Sequence, residues 1–590
     1  MFLPKKMQTN YSDKNAENGK ILQFDNSVGR YFSLTEKRME NGDFLAALDF
    51  AFSGLRAGGG YDSLADIADI YADMEQYELS NYYWMKYLTV APTDKTSVAY
   101  EELAINYFYM NNPGLAGYYF HKKITTDGFI NKDGLDEDIL NFIAEKTNNQ
   151  NYYYVAYPFD RADYSLFLKE GKDYLASGEP AAALKVLSRI PQGCKQYKEG
   201  NFNKAIAHFL SGETDEAIDL LREAVKADGG DVNTLCNLSS MYEFKNDKDK
   251  SRYYYSLALE RPATDPEAFF KLATCSLEQK EHLKGAEFFG KAIDKNFYDP
   301  KILFLYGLAL LNSRNYEKAA EVLALTYRID PRDDVTRYYV KLSQKIVADP
   351  RVADAFLPLE YAHVLPAEER TKRRRKINTI LSYNSYKFNL EMKKAETQEL
   401  YKWALSDCSG KVLTECLEML FNVPVKTLRL ITSDWLLDGD FPPKIKESLM
   451  FIMIISGYRG KISLYTGQIF LSFTVKKSPC EKYENLIYFA AYARALTRVA
   501  FTGEPEIDKL VFSLNKIYKA LKGDEIEKTL DRELLAALIT LEAKLLLVNS
   551  TDNVAKLFAV DRKELKTLSE YYRSKGVLNG KNNRRRRTVR

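Results

Sequence analysis

Two consecutive stretches of equal length decide the fold: PEAFFKLATCSLEQKEHLKGAEFFGKAIDKNFYD at 266–299 and PKILFLYGLALLNSRNYEKAAEVLALTYRIDPRD at 300–333. Both have a small residue at position 8 and again at position 20, and a large apolar residue at position 24. Two antiparallel helices can approach closely where small residues face each other, because larger side chains would force their axes apart. Each stretch is therefore predicted to form one pair of packed helices.

The same pattern continues towards the N-terminus with an unchanged period. Five segments begin at equal intervals along the chain, at Tyr164, Lys198, Val232, Pro266 and Pro300. Their small residues are Gly171, Ala205, Ser239, Ala273 and Gly307 at position 8, and Ala183, Ala217, Ser251, Gly285 and Ala319 at position 20. Their large residues at position 24 are Leu187, Leu221, Tyr255, Phe289 and Leu323. A period kept over five copies predicts a regular stack of helix pairs rather than an irregular bundle.

This pattern resembles the tetratricopeptide repeat (TPR), whose period of about 34 residues it shares. The resemblance implies an all-α superhelical solenoid that binds other proteins. Three looser copies precede the five, starting near Val28, Tyr61 and Ser97. The predicted segments are an N-terminal extension (1–27), a first TPR block (28–130), an inserted helix with a Tyr-rich connector (131–163) and a second TPR block with a capping helix (164–350).

The C-terminal half follows other patterns. Short amphipathic helices from about 397 to 456 resemble a small HEAT-like stack. Residues 461–475 then alternate with a period of two around Thr466-Gly467, which predicts a β-hairpin. Helical periodicity returns after about Tyr483. We therefore expect a C-terminal helical, HEAT-like region at 351–548 with one small β-hairpin.

The segment from Ser550 to Tyr572 resembles a helix-turn-helix motif, so 549–575 is a candidate DNA-binding unit. Ala555 stands where the family has a small residue, and Ala559 stands where it usually has glycine. The resemblance implies that the second helix enters the major groove. The candidate nucleic-acid-binding residues are Arg562, Lys563, Lys566 and Thr567, with Arg584, Arg585, Arg586 and Arg587 in a basic tail (576–590) predicted to be disordered. The alternative is that two short helices simply pack together within an all-helical protein.

The TPR resemblance also places positions 2, 5, 9, 12 and 13 of each first helix on the concave face. The candidate peptide-groove residues at these positions are Phe202, Ile206, Phe209, Phe270, Phe304, Leu308 and Leu311. An aromatic row on an exposed wall suits an apolar or amphipathic partner segment. The alternative is that another part of this chain covers the wall. In the first block, Asp62, Asp69 and Asp73 would make the inner face acidic.

The bulk composition and the absence of known motifs exclude several classes of function. The chain has 590 residues, of which 46% are hydrophobic and 28% charged, as in ordinary folded proteins. The six cysteines form no CxxC pair, which is typical of reduced thiols in a cytoplasmic protein. The four histidines have no second ligand at metal-binding spacing, and no phosphate-binding loop is present. We therefore expect no metal, no cofactor, no membrane span and no enzymatic activity.

The sequence thus predicts a non-catalytic TPR scaffold or adaptor that mediates protein–protein interaction, with a protein or peptide partner on its concave face. The alternative is a nucleic-acid-binding regulator, which would contact DNA through the C-terminal helix-turn-helix. In that case the TPR array would be its sensor or partner-binding module.

Overall fold

Helix pairs make up the first part of the chain. They are α1 (Ser27–Glu40) with α2 (Phe44–Arg56), α3 (Gly60–Asp73) with α4 (Tyr77–Val90), and α5 (Thr96–Tyr109) with α6 (Pro113–Asp127). The structure is a computed structural model that describes residues 27–110, 112–127, 139–141, 167–168, 171–172, 174–175, 178–190, 197–293, 298–467, 469–476, 486–526, 530–545, 548 and 550–587. Most of the predicted inserted segment at 131–163 lies outside these residues.

The second block continues the helix pairs in the predicted register. Its helices are α7 (Pro180–Leu187), α8 (Tyr197–Leu210), α9 (Thr214–Asp228), α10 (Val232–Phe244), α11 (Lys248–Leu259), α12 (Pro266–Glu278), α13 (His282–Ile293), α14 (Pro300–Asn312), α15 (Tyr316–Ile329) and α16 (Asp334–Ala348). The first helices α10, α12 and α14 begin at the predicted segment starts. The second helices α9, α11, α13 and α15 begin at the same constant interval, as a strict repeat requires.

An aspartate starts each first helix from α10 onward. The capping residues are Asp231, Asp265, Asp299 and Asp333, which are spaced by the same interval as the repeats. Each accepts a hydrogen bond from the backbone N–H three residues later, as Asp231 does from Thr234 at 2.8 Å. Such a cap satisfies a backbone donor that the helix itself leaves free, and it stabilises the helix by about 1 kcal/mol.

The small residues lie where paired helices cross. A Cβ atom added at Gly307 would lie 2.6 Å from Cγ of Leu323, and one added at Gly285 would lie 2.4 Å from a methyl carbon of Leu277. All five large residues at position 24 are buried. The prediction that positions 8 and 20 must be small for the helices to approach is therefore confirmed.

The C-terminal part is helical, with a single hairpin among the described residues. Its elements are α17 (Ala353–Phe356), α18 (Ala367–Leu381), α19 (Ser385–Glu391), α20 (Ala395–Asp407), α21 (Gly410–Leu420), α22 (Val425–Leu437), α23 (Pro443–Ile455), β1 (Gly460–Tyr465), β2 (Phe470–Val475), α24 (Leu486–Ala500), α25 (Ile507–Leu521), α26 (Arg532–Ala543), α27 (Thr551–Phe558) and α28 (Arg562–Arg587). The strands β1 and β2 pair antiparallel, with Tyr465 opposite Phe470. Among the described residues, no helix is both long and apolar enough to cross a bilayer.

The last helix differs from the prediction. We expected a disordered tail at 576–590, but α28 continues to Arg587. Lysine and arginine are good helix formers, and no proline interrupts this stretch, so the helix begun at Arg562 can extend. The side chains after Lys575 lie outside the described part of the structure.

The first block closes onto two distant parts of the chain. The hydroxyl of Tyr71 donates a hydrogen bond to the carbonyl of Ile329, at the end of α15, at 2.7 Å. The hydroxyl of Tyr119 accepts a hydrogen bond from the backbone N–H of Phe470, in β2, at 2.8 Å. One apolar core therefore joins the first block, the last repeats of the second block and the hairpin.

Candidate functional site

The inner surface of the second block is covered at one end. Three of the predicted groove residues, Phe304, Leu308 and Leu311, are almost completely buried. They belong to α14, and the irregular segment 357–365 that follows α17 lies against this helix. We call these three residues and their surroundings the covered part. At this end the chain covers its own concave wall, which is one of the two alternatives that the sequence left open.

Hydrogen bonds fix the segment 357–365 on the covered part. The amide of Asn312 donates to the carbonyl of Leu359 at 2.9 Å and accepts from its backbone N–H at 2.7 Å. The hydroxyl of Tyr361 lies 2.8 Å from Nδ1 of His282. The side chain of Asn312 thus binds both main-chain groups of Leu359, which is possible only where those groups are not already used in a helix.

An ion pair holds the C-terminal end of the segment 357–365. Nε2 of His363 lies 2.7 Å from Oδ2 of Asp333, and its ring packs edge-on against Phe304 at 4.7 Å. Burial acts to raise the pKa of Asp333, but the hydrogen bond and charge of His363, together with hydrogen bonds from Thr336, lower that pKa. Burial likewise acts to lower the pKa of His363, and Asp333 reverses this. The charged forms of both side chains therefore favour the closed arrangement.

The other end of the inner surface stays open. Here Phe202, Ile206, Phe209 and Phe270 from the predicted set are half-buried. Beside them, Phe244 is 69% exposed and Leu210 is 51% exposed. The rings of Phe209 and Phe244 meet edge to face, with centroids 4.8 Å apart. We call the surface formed by α8, α10 and α12 at these six residues the open part.

Leu210 and Phe244 were not among the predicted groove residues. Both occupy position 13, at the C-terminal end of a first helix, and Asn312 occupies the same position in α14. A signal for them was present, because position 13 belongs to the concave set. The resemblance therefore places both residues on the concave face, although the candidate set took its residues from positions 5, 9 and 12.

One helix of the first block, α3, carries the aspartates that were predicted for its inner face. The side chains of Asp62, Asp69 and Asp73 are exposed on α3. Burial and then the charge of Asp62 raise the pKa of the neighbouring Asp66 to about 6. Burial, with other carboxylates nearby, raises the pKa of Glu102 to about 7. Within the described residues, no group of three His, Cys, Asp or Glu side chains is arranged to hold a metal ion.

Four of the candidate nucleic-acid-binding residues lie at the exposed start of α28. Ala559 has a φ of 54°, so it adopts the left-handed conformation that glycine usually supplies, and the turn closes with Val560 N–H bonded to Ala555 at 3.0 Å. Exposed at the start of α28 are Arg562, Lys563, Lys566 and Thr567. Nε of Arg562 lies 2.7 Å from Oδ1 of Asp552, so part of this positive charge is neutralised. The side chains of Arg584, Arg585, Arg586 and Arg587 lie outside the described part.

One family model agrees with the repeat pattern in part of the chain. The family model described as tetratricopeptide repeat matches residues 168–232 and 283–334. No curated protein matches the chain. Among solved structures, a tetratricopeptide repeat protein from Parabacteroides merdae is 13% identical, over 51% of this chain and 98% of that chain, with a TM-score of 0.25.

Two further solved structures show the same degree of likeness. The C-terminal part of a TPR repeat-containing protein from Cytophaga hutchinsonii is 10% identical, over 49% of this chain and 95% of that chain, with a TM-score of 0.24. Human IFIT1, solved as a dimer with PPP-AAAA, is 13% identical, over 74% of this chain and 95% of that chain, with a TM-score of 0.29.

Proposed function

We propose that this chain, which matches the tetratricopeptide-repeat family at residues 168–232 and 283–334, is a non-catalytic scaffold or adaptor whose open part binds a partner protein. The observation that carries the proposal is the exposure of Phe244 and Leu210 on the inner surface. Large apolar side chains grouped on an exposed concave wall are typical of protein-binding surfaces. The covered part supports it as well, since the same surface already accommodates a non-helical segment of its own chain.

A random peptide library tests the proposal. We expect a phage-displayed library of dodecapeptides, panned on the full-length protein, to yield peptides that bind the open part. The double variant Phe244→Ser/Leu210→Ser should weaken their binding by about tenfold or more, because truncating an apolar anchor at the centre of an interface typically costs more than 1 kcal/mol. Isothermal titration calorimetry with the selected peptides measures the change.

A matched control separates this effect from a general loss of exposed apolar surface. Phe512 on α25 is 61% exposed, far from the second block in the chain. Phe512→Ser should leave the affinity of every selected peptide unchanged. Peptides that bind the double variant as tightly as the unmodified protein would contradict binding at the open part.

We also keep nucleic-acid binding as a second candidate function. It is favoured by the left-handed turn at Ala559, where α27 meets α28, and by the basic side chains exposed at the start of α28. Basic and hydroxyl side chains on such a helix suit phosphates and base edges. Against it stand the ion pair of Arg562 with Asp552 and the acidic neighbour Glu570 of Lys566.

Charge reversal tests this second candidate. If α28 binds DNA, the variant Arg562→Glu/Lys563→Glu/Lys566→Glu should lose binding to a random-sequence duplex. The binding of the unmodified protein should also weaken steeply with salt, because each phosphate contact releases counterions. Lys411→Glu, an exposed lysine on α21, is the control. Fluorescence anisotropy that detects no duplex binding by the unmodified protein at low salt would refute the hypothesis.

A cytoplasmic location is part of the same proposal. Cys236, Cys275, Cys408 and Cys416 are free thiols and buried. Free, buried thiols are common in a reducing compartment, whereas proteins of oxidising compartments tend to pair their cysteines. This supports the cytoplasm as the place where the scaffold meets its partner.

A further inference from the structure

The charges around the open part indicate which kind of partner it takes. Building on the proposed function, we infer that the occupant is a non-helical segment of a partner protein that carries lysine or arginine beside a large apolar residue. The apolar side chain would rest on Phe244 and Leu210, and the cation would face Glu243 and Glu278.

Two carboxylates border the exposed aromatic ring. Glu243 immediately precedes Phe244, and Glu278 occupies position 13 of the next first helix. Neither forms an ion pair with a described residue; Glu278 accepts a hydrogen bond from Ser240 instead. The closest following cation, Lys245, is already paired with Asp215. The apolar patch therefore lies beside negative charge that a basic partner would neutralise.

The surroundings of Glu278 raise its pKa, as expected where no partner cation is bound. Burial raises its pKa, and the nearby charge of Glu243 raises it further, although Ser240 and Lys271 act in the opposite direction. Two like charges held close together on a concave wall repel each other. A bound ammonium or guanidinium group would relieve this repulsion, whereas an acidic segment would increase it.

The covered part indicates that the occupant binds in a non-helical conformation. Asn312 binds the main chain of Leu359 and stands at position 13, in the same row as Glu278, Phe244 and Leu210.

The row also sets the length of the occupant. Neighbouring packed helices lie about 10 Å apart, so the open row from α8 to α12 spans about 20 Å. An extended chain advances about 3.3 Å per residue, which corresponds to about six residues. The segment 357–365 already occupies the α14 end of this row, so a partner would extend from Tyr361 towards Leu210.

Three matched peptides test the inference on the full-length protein. Each is a fluorescein-labelled ten-residue peptide with a central Leu-Phe pair and proline on both sides to prevent helix formation. They differ only in the two residues that flank the Leu-Phe pair. Both are lysine in the first peptide, glutamine in the second and glutamate in the third. By fluorescence anisotropy we expect the lysine peptide to bind about tenfold tighter than the glutamate peptide, from two partly exposed charge pairs. The variant Glu243→Gln/Glu278→Gln should reduce this preference to about twofold or less.

The outcomes distinguish the inference from the proposed function. No binding of the lysine peptide, equal binding of the three peptides, or a preference that survives Glu243→Gln/Glu278→Gln would overturn the inference. If all three peptides bind equally and Phe244→Ser abolishes their binding, the proposed function stands and only the charge preference falls. If Phe244→Ser and Leu210→Ser leave lysine-peptide binding unchanged, the proposed docking place itself is wrong.

The same experiment tests two other possible occupants of the open part. The chain also carries a basic stretch from Lys581 to Arg590. If removing that stretch raises the affinity for the lysine peptide, the stretch itself occupies the open part, and a separate partner is overturned. If the lysine peptide instead dissociates a dimer detected by sedimentation, the occupant is a second copy of the chain, with the same consequence.

Discussion

Replacing Ala319 by leucine is expected to lower the free energy of unfolding by about 1–3 kcal/mol, because extra methylene groups in a filled core force neighbouring side chains and helices apart. Ala319 is completely buried on α15, at position 20 of its repeat. Facing it across the helix pair is α14, where even a Cβ added at Gly307 would overlap Leu323. Urea unfolding followed by far-ultraviolet circular dichroism measures the loss.

The same helix offers a matched control for this substitution. Ala324 lies on the exposed side of α15, only five residues further along. Ala324→Leu adds the same atoms to water-exposed surface, so its effect should stay within about 0.5 kcal/mol. Equal unfolding midpoints for Ala319→Leu and Ala324→Leu would show that position 20 tolerates bulk. The role assigned to the small residues would then be wrong.

Replacing Tyr119 by phenylalanine is expected to destabilise the contact between the first block and the hairpin by about 1–3 kcal/mol. The hydroxyl of Tyr119 accepts the backbone N–H of Phe470 at 2.8 Å, and the Tyr119 side chain is completely buried. Without the hydroxyl, this N–H would be buried without a partner, which costs its full desolvation. Hydrogen exchange followed by mass spectrometry should show faster exchange in β1 and β2.

An exposed tyrosine is the control for the lost hydroxyl. Tyr386 on α19 is 76% exposed, so Tyr386→Phe removes a hydroxyl that water can replace. It should change neither the unfolding midpoint nor the exchange of the hairpin. Unchanged exchange of β1 and β2 in Tyr119→Phe would show that the hairpin is held by apolar contact alone, through residues such as Leu471.

The repeat architecture could be predicted from the sequence because its contacts are local. A helix pair such as α14 and α15 is packed through residues at most a few tens of positions apart, so Gly307 and Leu323 recur with the period of the chain. The same holds for the hairpin, whose strands are joined by the short turn at Thr466-Gly467. Even the helix-starting aspartates, such as Asp265 and Asp299, follow the period.

The candidate site could be predicted only in part, because its exposure depends on contacts between distant parts of the chain. The positions of the concave face follow from helical periodicity, so the sequence alone assigns Phe202, Phe270 and Phe304 to position 5 of the first helices α8, α12 and α14. Whether such a residue is exposed depends on what else packs on that face. Phe304 is buried because the segment 357–365, which has no repeat pattern, returns to α14.

The sequence by itself determined the helix pairs, their register and the hairpin, since each results from contacts between near neighbours in the chain. Only the tertiary structure decided which part of the concave surface stays open and where the array closes. Tyr119 and Phe470 are 351 positions apart, and Tyr71 and Ile329 are 258 apart. Such contacts depend on the small rotation between successive repeats, summed over the whole superhelix, and no local pattern of residues records that sum.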